Sequence, residues 1–170
     1  LAIAKNPEAY RHLSMQFENR EVDKLYHAVV QGVHKFENVE VDRAIQPGLK
    51  GKAKLAYKGK PAQTIFNTIE TYHRHSLIAC KPITGRMHQI RLHLMYLKAP
   101  IVNDVLYGGE VLFLSSLKRK FNLKQETEEQ PLIKRFALHS TQLGFKLMNG
   151  EQVVVEAPYP KDFQVLVKSL

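Results

Sequence analysis

Short apolar segments that alternate with polar ones predict a chain built mainly from β-strands. The clearest segments are rich in β-branched and aromatic residues and are bounded by glycine, proline or charged residues. They are EVDKLYHAVVQG (21–32), NVEVDRAI (38–45), QTIFNTIETY (63–72) and HSLIACKP (75–82). The last two are predicted to form a hairpin around His73–Arg74. Near the end, RFALHSTQLGFKLMNGEQVVVEAPYP (135–160) predicts a meander whose turn is Asn149–Gly150.

Helices are predicted at both ends of the chain and after the fourth strand segment. The first begins after Asn6, which suits an N-cap, and Pro7 suits the first helical position. The second covers Arg86–Leu97, where apolar residues recur with helical spacing. Two further helices are predicted over 111–121 and 161–170.

Two segments of contrasting composition are predicted to be irregular. Residues 46–62 are punctuated by glycine and proline and contain five lysines, so they are predicted to form a loop. Residues 122–131 are polar and are predicted to form a solvated connection. Because strands dominate and consecutive strands are predicted to be antiparallel, the predicted fold class is α+β with flanking helices.

Composition limits the class of protein without identifying it. A length of 170 residues fits one domain or most of one, and 44% apolar residues can form a core. No segment is apolar enough over the roughly 18 residues that a membrane span requires. The net charge of +9 favours an anionic partner such as nucleic acid, although many soluble proteins are basic without one.

The single cysteine, Cys80, also limits the chemistry. It excludes an internal disulfide and a cysteine-based zinc cluster, and it fits a reducing, cytoplasmic location. Its apolar neighbours predict burial rather than a nucleophilic role. Histidine ligands are not expected either, because His88 and His93 are five residues apart whereas zinc-binding histidines on a helix are four apart.

The second predicted helix carries cations within an apolar pattern. On a helical wheel Ile90 and Leu94 belong to the core stripe, and Arg91 lies at its edge near Met87. A partly buried guanidinium needs a carboxylate or phosphate partner, but the position also suits an arginine that extends out of a core edge. Both interpretations stay open from the residues alone. Asp104 is predicted to have a structural role in a turn, so no acid in the chain is assigned to Arg91.

The start of this helix is a predicted anion site. Thr84 and Gly85 are expected to open the helix, which leaves free backbone N–H groups beside Arg86 and His88. A phosphate group of RNA would suit this place.

Two segments resemble signatures of the RluA-type RNA pseudouridine synthases. KPITGRMHQIRLHLMYLKAPIVNDVLYGG (81–109) resembles the third signature, P-x-T-G-R-x-H-Q-[IL]-R-x-H followed by P-I-x-x-D-x-x-Y-G. FENREVDKLYHAVVQG (17–32) resembles the second, in which Lys-x-Tyr-x-Ala contains the active-site tyrosine, here Tyr26. The similarity extends over nearly the whole chain. Residues 1–170 would then be the C-terminal portion of a single catalytic domain.

The resemblance implies a fold and a reaction. The fold is a mixed, largely antiparallel β-sheet with flanking helices around one cleft. The reaction isomerises uridine in RNA to pseudouridine, without a metal, nucleotide or redox cofactor, after the target base has been flipped into the cleft. Large-subunit (23S) ribosomal RNA is the expected substrate, with tRNA as the alternative, and the protein is expected to be a cytoplasmic monomer.

The resemblance also assigns roles to individual residues. Arg91 would form an ion pair with the catalytic aspartate and keep it ionised. Tyr26 would stack on the flipped uracil and then accept the proton from C5, whereas the strand pattern without the resemblance favours an aromatic residue packed in the core. The expected RNA-binding residues are Arg86, His88, Gln89 and, as weaker candidates, Lys52 and Lys54.

One part of the family pattern has no match in the chain. The first signature, His-Arg-Leu-Asp followed by Thr-Ser-Gly, contains the catalytic aspartate. We therefore expect this aspartate to lie just before Leu1 in a longer parent protein. The chain alone is then expected to be inactive, and Arg91 is expected to lack its acid partner. Two alternatives stay open: a non-catalytic RNA-binding module derived from the family, and a ribosome-associated structural protein.

Overall fold

A six-stranded antiparallel sheet forms the centre of the molecule. The computed structural model describes residues 2–118, 121–122 and 128–170, without the side chain of residue 50. Its helices are α1 Pro7–Glu18, α2 Gln89–Tyr96 and α3 Lys161–Ser169. Its strands are β1 Asp23–Gln31, β2 Val39–Asp42, β3 Ile45–Pro47, β4 Ala53–Leu55, β5 Gln63–Thr71, β6 His75–Pro82, β7 Leu138–Lys146 and β8 Gln152–Glu156. No helix within these ranges has the length and apolar content needed to cross a bilayer.

The order of the main sheet is β2-β5-β6-β1-β7-β8, and β3 pairs with β4 in a separate two-stranded sheet. Every described strand pair is antiparallel. The α+β class is therefore confirmed. The predicted hairpins are also present, since β5 and β6 are joined across His73–Arg74, and β7 and β8 across a turn in which Gly150 has a φ of +85°.

Both faces of the sheet are covered at its centre. Ala28, Val29 and Val30 follow one another on β1 and are all 0% exposed, which requires packing on both sides because successive side chains point in opposite directions. On one side, His27 packs against Tyr159, which in turn packs against Phe163 of α3. By alternation, Tyr26 faces the other side. The candidate site and α3 thus lie on opposite faces of β1.

Local sequence signals define several element ends. The N-cap of α1 is Asn6, whose side-chain oxygen accepts a 2.8 Å hydrogen bond from the N–H of Ala9, and Pro7 is its first residue, as predicted. The strand β1 ends before Gly32, which has a φ of +88°. The last helix, α3, begins at Lys161 as expected.

Three predictions of local structure were wrong. The lysine-rich segment 46–62 is not a simple loop, because it contains β4 and most of β3. In the predicted helix 111–121, the described part contains only a 3-10 turn at Leu114–Ser116; residues 119–120 lie outside the described residues, as do 123–127 of the predicted polar connection. The helix predicted from Arg86 begins three residues later, at Gln89, because His88 has a left-handed φ of 56°.

A tight loop after α2 is anchored on the central strand. The N–H of Val102 donates to the carbonyl of Val29, and Asp104 accepts backbone hydrogen bonds from Tyr107 and Gly109. The loop closes so tightly that a Cβ on Gly109 would lie 1.9 Å from the carbonyl oxygen of Ile101. Only glycine fits this position without moving the backbone.

We expect Gly109→Ala to lower the free energy of unfolding by roughly 1–3 kcal/mol or more, since the added methyl group collides with backbone and not with a flexible side chain. Urea unfolding followed by circular dichroism measures this change. Gly85→Ala is the matched control, because a Cβ there meets nothing within 4 Å and its φ is not positive. Equal stability of the two variants would contradict the proposed constraint.

Candidate active site

A cleft of about 270 Å³ opens on the Tyr26 face of the sheet. It is formed by the start of β1, the loop between β6 and α2, the first turns of α2 and the segment that leads into β7. Its lining residues are Lys24, Tyr26, Pro82, Thr84, Gly85, Arg86, His88, Gln89, Ile90, Arg91, Phe136 and Leu138. The cleft brings together Tyr26, Arg91, Arg86, His88 and Gln89 of the residues singled out by the sequence.

Arg91 forms a buried ion pair with Asp104 at the base of this cleft. Its Nε donates to Asp104 Oδ2 at 2.7 Å and its Nη2 donates to Oδ1 at 2.6 Å. The side chains are 10% and 1% exposed, so the pair is largely shielded from solvent. The expectation that Arg91 has no acid partner in this chain is therefore wrong. Asp104 does form the expected turn, but its carboxylate is directed at Arg91.

Two aromatic rings hold the Arg91 guanidinium in place. Its Cζ lies 4.6 Å from the ring centroid of Tyr107 and 4.4 Å from that of Phe136, within the range of cation–π attraction. Nη1 makes no hydrogen bond to a described residue, and it is not a buried unpaired atom. The guanidinium thus keeps free N–H donors while its position is fixed by Asp104 and the rings.

Tyr26 lies at a β-bulge on the central strand. It pairs with Cys80 on β6 and Ser140 on β7, and the register with β7 shifts between Leu25 and Tyr26. Bulges of this kind redirect side chains and often occur beside functional sites. The ring is half-buried and lines the same cleft as Arg91, while also packing at the border of the core.

Gln89 is a structural residue within the cleft wall. Its Nε2 donates to the carbonyl of Gln63 at 2.8 Å and to Thr64 Oγ1 at 2.9 Å, and its Oε1 accepts from Thr84 Oγ1 at 2.6 Å and from the N–H of Arg86 at 3.0 Å. All donors and two acceptor positions of the amide are thus used, and the residue is 4% exposed. The amide therefore has no free donor to offer in this structure, and the RNA contact of Gln89 stays a prediction.

The prediction that Thr84 and Gly85 open the helix is wrong, whereas the anion site near them stays a prediction. The Thr84 hydroxyl donates to Gln89 and also accepts a 3.0 Å bond from the N–H of Gln63. These residues belong to a loop ahead of α2, not to its first turn. The Thr84 and Gln89 side chains join this loop to β5.

His93 continues the network into the core with a defined tautomer. Thr64 Oγ1 accepts from Gln89, so its hydroxyl hydrogen is free to donate to His93 Nδ1 at 2.9 Å. His93 Nε2–H then donates to the carbonyl of Arg43 at 3.1 Å. This order requires a neutral imidazole with its hydrogen on Nε2. Burial lowers the pKa of His93 below the ordinary value of 6.5, against smaller opposite effects of the Arg43 carbonyl and Asp42.

Arg86 and His88 lie at the mouth of the cleft. The Nε of Arg86 donates to the carbonyl of Pro61 at 3.1 Å, which leaves its terminal nitrogens for other partners. His88 Nδ1 lies 2.7 Å from the hydroxyl of Tyr107. Partial burial and then the Arg91 charge lower the pKa of His88, against a smaller effect of Asp104, so its neutral form is favoured.

The two lysine candidates, Lys52 and Lys54, are exposed on the β3–β4 hairpin and do not line the cleft. Sequence reasoning missed Asp104 as an ion-pair partner, together with Tyr107 and Phe136 as ring partners of Arg91. Asp104 and Tyr107 did carry a signal, because both occupy fixed positions of the P-I-x-x-D-x-x-Y-G pattern. Among the described residues there is no group of three or more histidine, cysteine or acidic side chains that could hold a metal ion.

We expect Asp104→Asn to lower the free energy of unfolding by about 3–5 kcal/mol, because it leaves the buried Arg91 guanidinium without a counter-charge. Asp23→Asn is the matched control. The Asp23–Lys81 pair is 60% and 53% exposed, so its loss should change stability by only about 0–1 kcal/mol. Urea unfolding of both variants at neutral pH measures the difference, and a cost for Asp104→Asn as small as the control would argue against a structural ion pair.

Acid should weaken the fold through His93. Its pKa is lower in the folded chain than in the unfolded chain, so between the two values the unfolded chain binds more protons. The stabilisation is therefore complete above the unfolded value of 6.5 and is lost as the pH falls through the folded value. We expect His93→Gln, which keeps a donor and an acceptor but does not titrate, to lose less stability than the wild type between about pH 7.5 and about pH 5. If the free energy of unfolding changed equally with pH in the wild type and in His93→Gln, this role of His93 would be refuted.

Comparisons with known proteins connect this geometry to a family. A family model described as RNA pseudouridylate synthase matches residues 1–96, more than half of the chain. An uncharacterized RNA pseudouridine synthase of Chlorobaculum parvum is 33% identical over 177 residues, which cover 100% of this chain and 54% of that protein. The ribosomal large subunit pseudouridine synthase C of Vibrio vulnificus is 34% identical over 175 residues, with 100% and 51% covered. The ribosomal large subunit pseudouridine synthase D of Xanthomonas campestris is 32% identical over 173 residues, which cover 100% of this chain and 50% of that protein.

Solved structures agree with these relatives. Human RNA pseudouridylate synthase domain containing 1 superposes with a TM-score of 0.66 at 28% identity, covering 92% of this chain and 62% of that one. Human RNA pseudouridylate synthase domain containing 4 has a TM-score of 0.68 at 20% identity, which supports the fold alone. The chain spans about half the length of the curated relatives it matches. The resemblance suggested by the two signatures is confirmed, and the chain belongs to the RNA pseudouridylate synthase family.

Proposed function

We propose that the protein to which this chain belongs converts uridine to pseudouridine in large-subunit ribosomal RNA. Family membership supports the reaction, and the names of the Vibrio and Xanthomonas relatives support the substrate. The net charge of +9 suits a polyanionic ligand. The proposed protein acts in the cytoplasm as a monomer and without a cofactor. Residues 1–170 form the C-terminal portion of its catalytic domain.

The observation that carries this proposal is the fixed guanidinium of Arg91 in the same cleft as Tyr26. One edge of the guanidinium is occupied by Asp104, while Nη1 remains available. A second carboxylate that enters the cleft could bind there, and the positive charge would keep it ionised and correctly oriented. This second carboxylate would be the catalytic aspartate of the first family signature.

Asp104 is unsuited to act as that catalytic carboxylate. It is 1% exposed on its side chain, and both of its oxygens accept hydrogen bonds from Arg91. A reacting group must approach the ribose or the base, which Asp104 cannot do without breaking the ion pair. We therefore propose that the aspartate comes from a segment of the parent protein outside this chain, and that the chain alone has no activity.

The proposed reaction conserves all atoms of the uridine. The bond between N1 and C1′ breaks, the uracil rotates, and a bond forms between C5 and C1′. The uracil keeps the electron pair of the broken N1–C1′ bond and uses a pair at C5 for the new bond. C5 then loses its proton to the phenolic oxygen of Tyr26 as this hydroxyl releases its own proton, and N1 gains one proton, so Tyr26 ends unchanged. The Tyr26 ring stacks on the base during this rearrangement, and the neutral His88 and the free nitrogens of Arg86 contact the RNA around the flipped nucleotide. Lys52 and Lys54 contact phosphates further away.

Release of tritium from C5 of uridine in ribosomal RNA tests the reaction in the parent protein. Tyr26→Phe keeps the ring but removes the proton acceptor, so we expect the rate to fall by about 10²–10⁴-fold. Arg91→Lys keeps the charge but loses the planar fork that can bind two carboxylates, and it should also be severely impaired. Tyr10→Phe, on an exposed position of α1, is the control and should be unaffected.

Three results would contradict the proposal. Unchanged release in Tyr26→Phe and Arg91→Lys would remove both residues from the mechanism, and absence of release from the parent protein would favour the non-catalytic RNA-binding module. Pseudouridine mapping in cells that lack the protein tests the substrate. Loss of a modification from tRNA, with large-subunit ribosomal RNA unchanged, would exclude the proposed RNA.

A further inference from the structure

The C-terminal end of α2 contributes to a second cavity, of about 780 Å³. It is bounded by the end of β2, the β3–β4 hairpin and the turn that follows it. It shares no lining residue with the cleft at the other end of α2. Its lining residues are Asp42, Arg43, Ala44, Leu55, Ala56, Tyr57, Gly59, Pro61 and Tyr96.

An arginine and a tyrosine form a fixed pair on one side of this cavity. The Cζ of Arg43 lies 5.0 Å from the ring centroid of Tyr96, and its Nη2 donates a 2.8 Å hydrogen bond to the Tyr96 hydroxyl. Both side chains are exposed. An exposed arginine normally samples many rotamers, so two contacts to one ring prepare this guanidinium plane for a ligand at low entropic cost.

A second aromatic ring, that of Tyr57, lies at the edge of the cavity and is fully exposed. Tyr57 is 101% exposed, although it lies in a turn that is tightly held. Gly59 donates a backbone bond to Ala56 at 2.9 Å, and Ile45 exchanges two with Lys60. A Cβ on Gly59 would lie 2.6 Å from the backbone of Ile45, so the turn packs directly against the start of β3. The fold thus presents a bare phenol ring from a rigid support.

The charges around the cavity indicate where a base and where a phosphate would bind. Lys54, Lys58 and Lys60 are exposed on the surrounding hairpin and turn. Asp42 lies within the lining itself, where its carboxylate would repel a phosphate but could accept a hydrogen bond from a base N–H. Aromatic rings surrounded by lysines are the arrangement with which proteins bind unpaired nucleotides, by stacking the base and contacting the backbone.

We propose that this cavity binds an unpaired nucleotide of the RNA, with the base stacked between Tyr57 and the Arg43–Tyr96 pair and the adjoining phosphates at the lysines. The inference rests on the proposed function for the identity of the ligand as RNA. It adds a second contact, outside the catalytic cleft, that would select RNA in which a single-stranded segment lies near the target uridine.

Fluorescence gives a local test, because the chain contains no tryptophan. In the 170-residue chain, Tyr57→Trp places one indole at the edge of the cavity, and Tyr10→Trp places one on exposed α1 as a control. We expect a short oligouridylate to quench the fluorescence of Tyr57→Trp but not that of Tyr10→Trp. An abasic oligomer with the same number of phosphates should leave both unchanged, since stacking needs a base.

A second test measures the affinity for the oligouridylate in variants that contain no introduced tryptophan. Tyr57→Ala should weaken binding of the oligouridylate by about 5- to 100-fold, the range expected for one lost stacking contact. Tyr96→Phe, which keeps the ring but removes the hydrogen bond to Arg43, should weaken it less. Equal quenching by the abasic oligomer, or unchanged affinity in Tyr57→Ala, would overturn the inference. Because neither readout involves turnover, a failure here is distinct from a failure of the tritium assay.

Discussion

The candidate site depends on one buried ion pair, between Arg91 and Asp104. A guanidinium in this position would be costly without a counter-charge, and a carboxylate that is 1% exposed would be costly without a cation. The pair also connects α2 to the loop that follows it, which also carries the ring of Tyr107, and the ring of Phe136 adds the segment just before β7. Three parts of the chain thereby meet around a single planar cation.

A second constraint, the hydrogen-bond network around Gln89, fixes the opposite wall of the cleft. It runs from Thr84 through Gln89 and Thr64 to His93, and every member has a partner. Such a network is stabilising only when it is complete. The loop that bears Arg86 and His88 therefore does not depend on helix propensity, which explains why it can hold His88 in a left-handed conformation just ahead of α2.

The sequence predicted the features that depend on residues close together in the chain. It missed the features that depend on contacts between residues far apart in the chain. The β5–β6 hairpin, the turn at Gly150 and the N-cap Asn6 follow from residues within a few positions of each other. The partnership of Arg91 with Asp104 spans 13 positions and a chain reversal, and no periodicity shows it. The strands β3 and β4 have only three residues each. The glycine and lysine residues around them therefore led the composition of this segment to predict a loop. Family resemblance pointed to Tyr26 and Arg91, which line one cleft in the structure, but it could not distinguish an exposed amide from the buried one of Gln89.

The pairing of β1 has a consequence for when the site comes into existence. Tyr26 belongs to β1, which is synthesised before β7, yet β7 is one of its two neighbours in the sheet, where Asp23 pairs with Gly144. Phe136, which packs on Arg91, belongs to the segment just before β7. A nascent chain that has emerged only as far as α2 therefore holds Tyr26 and Arg91 without Phe136, which also lines the cleft. Because contacts so distant in sequence form late, we expect the cleft to be completed only after residues 136–144 have left the ribosome.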